Sequence, residues 1–385
     1  SPWLSAHHEV VKIKMVNSTS PLSSWFVSTF TIIAIAYLCA TSNCPRRLLS
    51  NFYHRSKAEI SSNHTMEAIE HRTLSLNGIN MHVAMKGQEN GPVVLLIHGF
   101  PELWYSWRHQ MVALAALGYR AVAPDMRGYG DSDAPSDPSQ YTCLHVVGDL
   151  VALLDAVAPA RSVFVVGHDF GAYMAWYLAL FRPDKVKAMV NLSVFFSPTN
   201  PKHNVIDMMR SRYGDDYYIC RFQEAGDIEE EFAKMGTERV VKEFLTYIKP
   251  AALILPKGEG FGNPLDASIK LPSWLSENDV KYYISKFERQ GFTGGLNYYR
   301  NLDKNRELTA GWNGVEIKVP AKFIVGDQDL TYNSHGAKEY IHKGGFNKNV
   351  PFLQEVVVLE GVGHFINQEK AEEINQHIID FIKKF

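Results

Sequence analysis

Cysteine is scarce in this sequence, and where it occurs it builds no framework. Cys39, Cys44, Cys143 and Cys220 are the four among 385 residues. They form no C-x-x-C pair with a nearby histidine and no disulfide pattern. Structural zinc and a stapled secreted scaffold are therefore not expected, and free thiols in a reducing, cytoplasmic setting are expected for the catalytic part. An excess of charge is lacking too. The net charge is −2, which offers no electrostatic reason to bind nucleic acid. Nor is there a clean apolar run of the roughly 20 residues that a membrane-spanning helix needs. Trp25–Ala40 comes nearest and is interrupted by Ser28, Thr29 and Thr31. What remains is ordinary globular material, 46% hydrophobic and 21% charged, enough for one large or two modest domains with a sizeable core.

Residues 1–65 do not share the patterning of the rest. The sequence as given opens on Ser1. The run Trp25–Ala40 would serve as a signal-anchor, with Arg46, Arg47, Arg55 and Lys57 on its C-terminal side, or as the core of a signal peptide. In a third reading a globular protein begins at Met66 and the segment before it is not normally part of it. Any membrane contact would run through residues 25–40.

From Met66 the pattern becomes regular. Asn77-Gly78 separates His71–Leu76 from Ile79–Ala84, and Asn-Gly between two alternating runs predicts a hairpin. Val93–Ile97 reads as a strand buried on both faces, Trp107–Leu117 as a helix and Tyr119–Ala123 as a further strand. A glycine-rich loop, Asp125–Ser132, follows. Val147, Leu150, Val151 and Leu154 recur at helical spacing, and Val186–Leu192 reads as strand. This alternation predicts an α/β fold with a mostly parallel sheet and helices on both faces. It stops between about Phe196 and Arg300, where aromatics, prolines and helix-like pieces replace strands. There Ser276-Glu277-Asn278-Asp279 forms a capping box that opens a helix, and Gly291 could end it. Strands resume at Ala321–Val325 and Val356–Leu359, and a last helix carries Ile374, Ile378, Ile382 and Phe385 on one stripe. The expected organisation is a core of residues 66–196 and 301–385, with residues 197–300 inserted as a helical lid.

Within this frame one stretch carries the chemistry. Val163–Val166 reads as a buried strand, then comes Gly167-His168-Asp169-Phe170-Gly171, then a helix from Ala172. This is a strand–turn–helix nucleophile elbow with aspartate at the place where hydrolases usually carry serine. Asp169 would stand at a helix N-terminus, where backbone N–H groups and the dipole keep a carboxylate ionised. Two further groups follow in the order nucleophile, acid, histidine. Strand Phe323–Val325 leads to Asp329, with Asp327 expected to stay with the turn, and strand Val356–Leu359 leads through Gly361-Val362-Gly363 to His364. All lie past the carboxyl ends of strands, where open α/β sheets place their sites. His98-Gly99-Phe100-Pro101 follows strand Val93–Ile97, so the backbone N–H groups of Phe100 and Phe170 are the expected oxyanion donors.

These residues resemble a known family. His98–Glu102, Asp125–Ser132, Gly167–Gly171 and Gly363-His364-Phe365 resemble the soluble epoxide hydrolases, most closely the plant type, from about Met66 to the C-terminus. The resemblance implies an α/β-hydrolase fold and a helical cap. It also implies two lid tyrosines, Tyr218 from Tyr217–Glu224 and Tyr299 from Asn297–Arg300. One departure is Phe170, where the family commonly has tryptophan.

The nucleophile narrows the substrate. A serine that attacks a saturated carbon is left as an ether, whereas a carboxylate is left as an ester that activated water can cleave. His364, oriented by Asp329, would take the proton from that water. An epoxide oxygen leaves as an alkoxide and needs donors such as the phenols of Tyr218 and Tyr299. The expected reaction is therefore addition of water to lipophilic epoxides, with epoxy fatty acids and aryl epoxides implied by the resemblance, and without metal or cofactor. A haloalkane dehalogenase would share the nucleophile but place a tryptophan directly after it, whose side-chain N–H donor the Phe170 ring lacks. A catalytically idle ligand-binding homologue is the reading from a different class, and the intact set of groups argues against it.

Overall fold

The computed structural model describes residues 69–198 and 202–385. The anchor, signal-peptide and upstream-segment expectations for residues 1–65 lie outside the described residues. Among those described, no helix is long and apolar enough to cross a membrane.

Strands β1 (Glu70–Leu76) and β2 (Ile79–Lys86) pair antiparallel, with Leu76 opposite Ile79. Asn77 (φ +47°) and Gly78 (φ +82°) make the turn. Both are left-handed, as the two-residue turn that matches strand twist requires. The remaining strands are β3 (Val93–Ile97), β4 (Arg120–Pro124), β5 (Val163–His168), β6 (Val186–Leu192), β7 (Ala321–Gly326) and β8 (Leu353–Leu359). They complete an eight-stranded sheet in the order β1-β2-β4-β3-β5-β6-β7-β8, parallel from β4 to β8. Every residue of β3, β4, β5 and β7 is buried, which is what an unbroken apolar run signals. Alternate side chains of β3 take opposite faces. Val93, Leu95 and Ile97 join one core cluster, Val94 and Leu96 the other.

Helices seal both faces. Helix Cys143–Val157 starts at Thr142, whose hydroxyl accepts the His145 N–H, and buries Val147, Leu150 and Leu154 in the first cluster. The helix expected over Trp107–Leu117 divides into a 3₁₀ turn, Trp104–Trp107, and a helix, Arg108–Ala116. The C-terminal helix, Ala371–Ile382, buries Ile374, Ile378 and Ile382 in the second cluster. Phe385 does not continue that stripe. It lies beyond the last helical turn, so helical periodicity no longer sets its direction; it is exposed and touches Phe381 edge-on.

Seven helices between Val205 and Leu308 separate β6 from β7. Helix Glu277–Gln290 has the expected box: the Ser276 hydroxyl accepts the Asp279 N–H, and the Asp279 carboxylate accepts the Ser276 N–H. Gly291 ends it at φ +73°. This helix docks on the core through polar side chains. Arg108 pairs with Asp279 at 3.1 Å, Tyr105 donates to Asp279, and Trp104 Nε1 donates to the Tyr282 hydroxyl. Lys286 and Arg289 both reach Asp131 in the glycine-rich loop. The segment is thereby fastened to the stretches that follow β3 and β4.

Candidate active site

The elbow is built by close backbone approach. Asp169 follows β5 and precedes helix Phe170–Phe181 with φ +54° and ψ −124°, a region that non-glycine residues occupy only where their surroundings enforce it. A Cβ on Gly171 would run into the Ile97 carbonyl, and one on Gly167 into the backbone of Ala172. The two glycines therefore let the turn sit against β3.

Four strand ends converge here. Asp169 Oδ1 accepts the Phe100 N–H at 2.8 Å, and Oδ2 lies 3.1 Å from His364 Nε2. His364 Nδ1 is 3.0 Å from both oxygens of Asp329, which also accepts the backbone N–H and hydroxyl of Thr331. Asp327 stays apart, accepting the Gly361 N–H in the turn. Phe170 opens its helix, so its N–H is among the first-turn donors that have no partner within the helix.

The charges are mutually arranged. Burial works against ionisation of Asp169, but the hydrogen bond and charge of His364, with help from His168 and the Phe100 N–H, hold its carboxyl below the usual range. Burial likewise opposes charge on His364. The Asp329 carboxylate beside it and the bond to Asp169 overcome that and push the imidazole well above its ordinary value. In the free protein the two carboxylates thus both favour the protonated form of the ring between them.

Tyr218 and Tyr299 face Asp169 across a cavity, with ring centroids 5.8 Å apart. Burial, joined by the Asp169 charge among other neighbours, raises both phenols well above 10, so both stay protonated. Of their neighbours, Tyr298 donates to the Arg127 carbonyl, whereas Tyr217 stacks on Tyr213, hydrogen-bonds with Tyr218 and lines the same cavity. Phe170 packs edge-on against Tyr299 at 4.5 Å. Asp169 stands where two unequal spaces meet. One measures about 490 Å³ and runs beneath helix Val205–Tyr213. The other measures about 30 Å³ and is lined by Phe100, Phe244, Leu253 and Phe365.

Sequence reasoning missed a buried pair beneath the site. His168 Nδ1 meets Glu102 at 2.6 Å, and its Nε2 meets the His364 carbonyl at 2.7 Å. Ser193 donates to the same carbonyl. A histidine closing one apolar strand and a glutamate five residues beyond another were the available signal, because such polar groups are buried only when partnered. The one cluster with metal-like spacing among the described residues is His82, Asp125 and Asp131, and there the Asp131 carboxylate already carries Lys286 and Arg289.

Gly99 packs against Asp169: a Cβ there would overlap its carboxyl group. Gly99→Ala is expected to lower kcat/KM by roughly 10²-fold or more, the scale of a misplacement of about 1 Å. Steady-state assay beside thermal unfolding checks this, with the protein expected to remain folded.

The chain belongs to the alpha/beta hydrolase fold family, whose model matches residues 92–371. Within that fold its relatives are epoxide hydrolases, and it is a member of their plant-type family. Epoxide hydrolase 1 of Siraitia grosvenorii is 59% identical over 320 residues, spanning 83% of this chain and 100% of that protein. Epoxide hydrolase A of Mycobacterium tuberculosis is 37% identical over 329 residues, spanning 82% and 98%. Epoxide hydrolase I of potato, Solanum tuberosum, is similar in structure with a TM-score of 0.79 at 60% identity, covering 82% of this chain and 100% of the other.

Proposed function

We propose that the protein adds water to lipophilic epoxides to give vicinal diols, with Asp169 as nucleophile, and that residues 197–300 act as its lid. The observation that carries the reading is the Asp169 carboxylate gripped at one oxygen by Phe100 and at the other by His364, with two protonated phenols opposite. The Phe100 N–H stays with Oδ1, which becomes the ester carbonyl oxygen, so Oδ2 leaves its contact with His364 and attacks the epoxide carbon while Tyr218 and Tyr299 donate to the departing oxygen. The C–O bond of the ring breaks, an alkyl ester forms on Asp169, and a phenol supplies the proton to the new hydroxyl. Esterification also removes the Asp169 charge that helped raise both phenols, so they become stronger acids as the alkoxide develops.

Loss of the same charge frees His364. Without the Asp169 carboxylate its imidazolium loses part of its support and gives up its proton, which passes through solvent to restore the phenol deprotonated in the first step, and the neutral ring becomes a base. Water attacks the Asp169 carbonyl carbon, His364 takes its proton, and the Phe100 and Phe170 N–H groups bind the tetrahedral oxyanion. Collapse passes the remaining water proton to the departing oxygen, releases the diol and regenerates the carboxylate, with His364 again protonated. The substrate and water are the only partners this sequence of steps requires, and all the acid and base groups come from the chain. The buried free thiols of Cys143 and Cys220 suit a reducing compartment.

The ester route has an isotopic signature. With protein in excess over epoxide in ¹⁸O-water, the first turnover should give unlabelled diol and place the label in the Asp169 carboxylate. Label in the diol on that first turnover would mean that water attacks the epoxide directly, and the nucleophile assignment would fall.

A further inference from the structure

The larger space has an electrostatic direction that the reaction itself does not explain. Helix Val205–Tyr213 presents Val205, Met208, Met209 and Arg212 to it. These positions fall at i, i+3, i+4 and i+7, a single helical stripe, so the apolar wall ends in a guanidinium. Arg210, two residues earlier, carries both nearby carboxylates, Asp207 and Asp215. Arg212 has no acidic partner among the described residues and is exposed. His203 and His335 line the same space, and among its lining residues the only carboxylate is Asp169 at the inner end. A long apolar channel that is basic at its mouth and closed by a reactive carboxylate favours a molecule with opposite polarity. Such a molecule is anionic at one end and carries its epoxide at the other.

We propose that Arg212 anchors an anionic group, such as a carboxylate, at the far end of the longer substituent of the epoxide. This rests on the proposed function and deepens it by assigning the orientation of the substrate. The charged arm lies along helix Val205–Tyr213, and the shorter substituent lies against Phe100, Phe244 and Phe365. The pairing is solvent-exposed at the mouth, so its contribution is modest and screened by salt. It acts on binding rather than on the reacting bond, and appears in KM.

The test compares a long-chain epoxy carboxylate with its methyl ester, both below their aggregation limits, in the full chain. Wild type should favour the carboxylate, and added salt should shrink that preference. In Arg212→Gln the carboxylate-to-ester ratio of kcat/KM should fall roughly five-fold through KM. Arg212→Glu should lower the ratio further, and Arg212→Lys should restore most of it. If wild type does not distinguish acid from ester, or if Arg212→Gln leaves the ratio where it was, the anchor is wrong. A small neutral epoxide separates the two failures. Its turnover by wild type keeps the proposed function standing while the anchor falls, whereas no turnover of any epoxide overturns both.

Discussion

His364→Ala protein incubated with a simple epoxide should gain the mass of one epoxide molecule, retain it, and show it on the peptide that contains Asp169. In the proposed mechanism the side chain of His364 is the base for the second step only, so its loss should spare ester formation and cripple ester hydrolysis. Steady-state turnover should fall by roughly 10³-fold, within the usual worth of a positioned general base. Intact mass and peptide mapping decide the matter, and modification elsewhere would refute the mechanism. A pH dependence accompanies it in wild type. In free protein the imidazole is held protonated by Asp329 and Asp169; in the ester form the contribution of Asp169 is gone, and the value drops. Hydrolysis needs the neutral ring and so should speed up as pH rises through that lowered value. Rapid quench should accordingly find more alkylated protein at mildly acidic than at mildly alkaline pH.

Tyr218→Phe and Tyr299→Phe should each slow alkylation by roughly 10²-fold, the scale of removing one preorganised donor, and the double change should nearly abolish it. Only the hydroxyls are removed. The rings still pack, Tyr218 against Phe222 and Tyr299 against Phe170 and Phe222, so the cavity should keep its form. The phenols act on the leaving oxygen, and ester hydrolysis should change little once the ester exists. Single-turnover mixing separates the two steps. A double variant that alkylates at the wild-type rate would remove both tyrosines from the reaction.

Much of the core was legible because its signals are local. Asn77-Gly78 demands a left-handed turn, the run Val93–Ile97 demands burial on both sides, and Ser276 with Asp279 caps a helix by neighbour-to-neighbour bonding. The elbow is local as well, since strand, tight turn and helix occupy consecutive residues. The pair Glu102 and His168 was not legible, because its partners lie 66 residues apart. Only the parallel pairing of β3 with β5 brings those strand ends together. The stripe Val205, Met208, Met209 and Arg212 could be counted along the chain, but nothing local said which surface it would face.

By itself, then, the order of residues determined the alternating α/β core, the aspartate at the elbow and the order of acid and histidine after it, since each depends on backbone preference and short-range burial. Tertiary structure alone decided which oxygen of Asp169 is held by Phe100 and which meets His364. It also decided how two tyrosines from segments far apart in the chain come to line one space with a carboxylate, and why that space is wide on one side and narrow on the other. Those features depend on distances between elements that never meet in sequence, and only packing sets such distances.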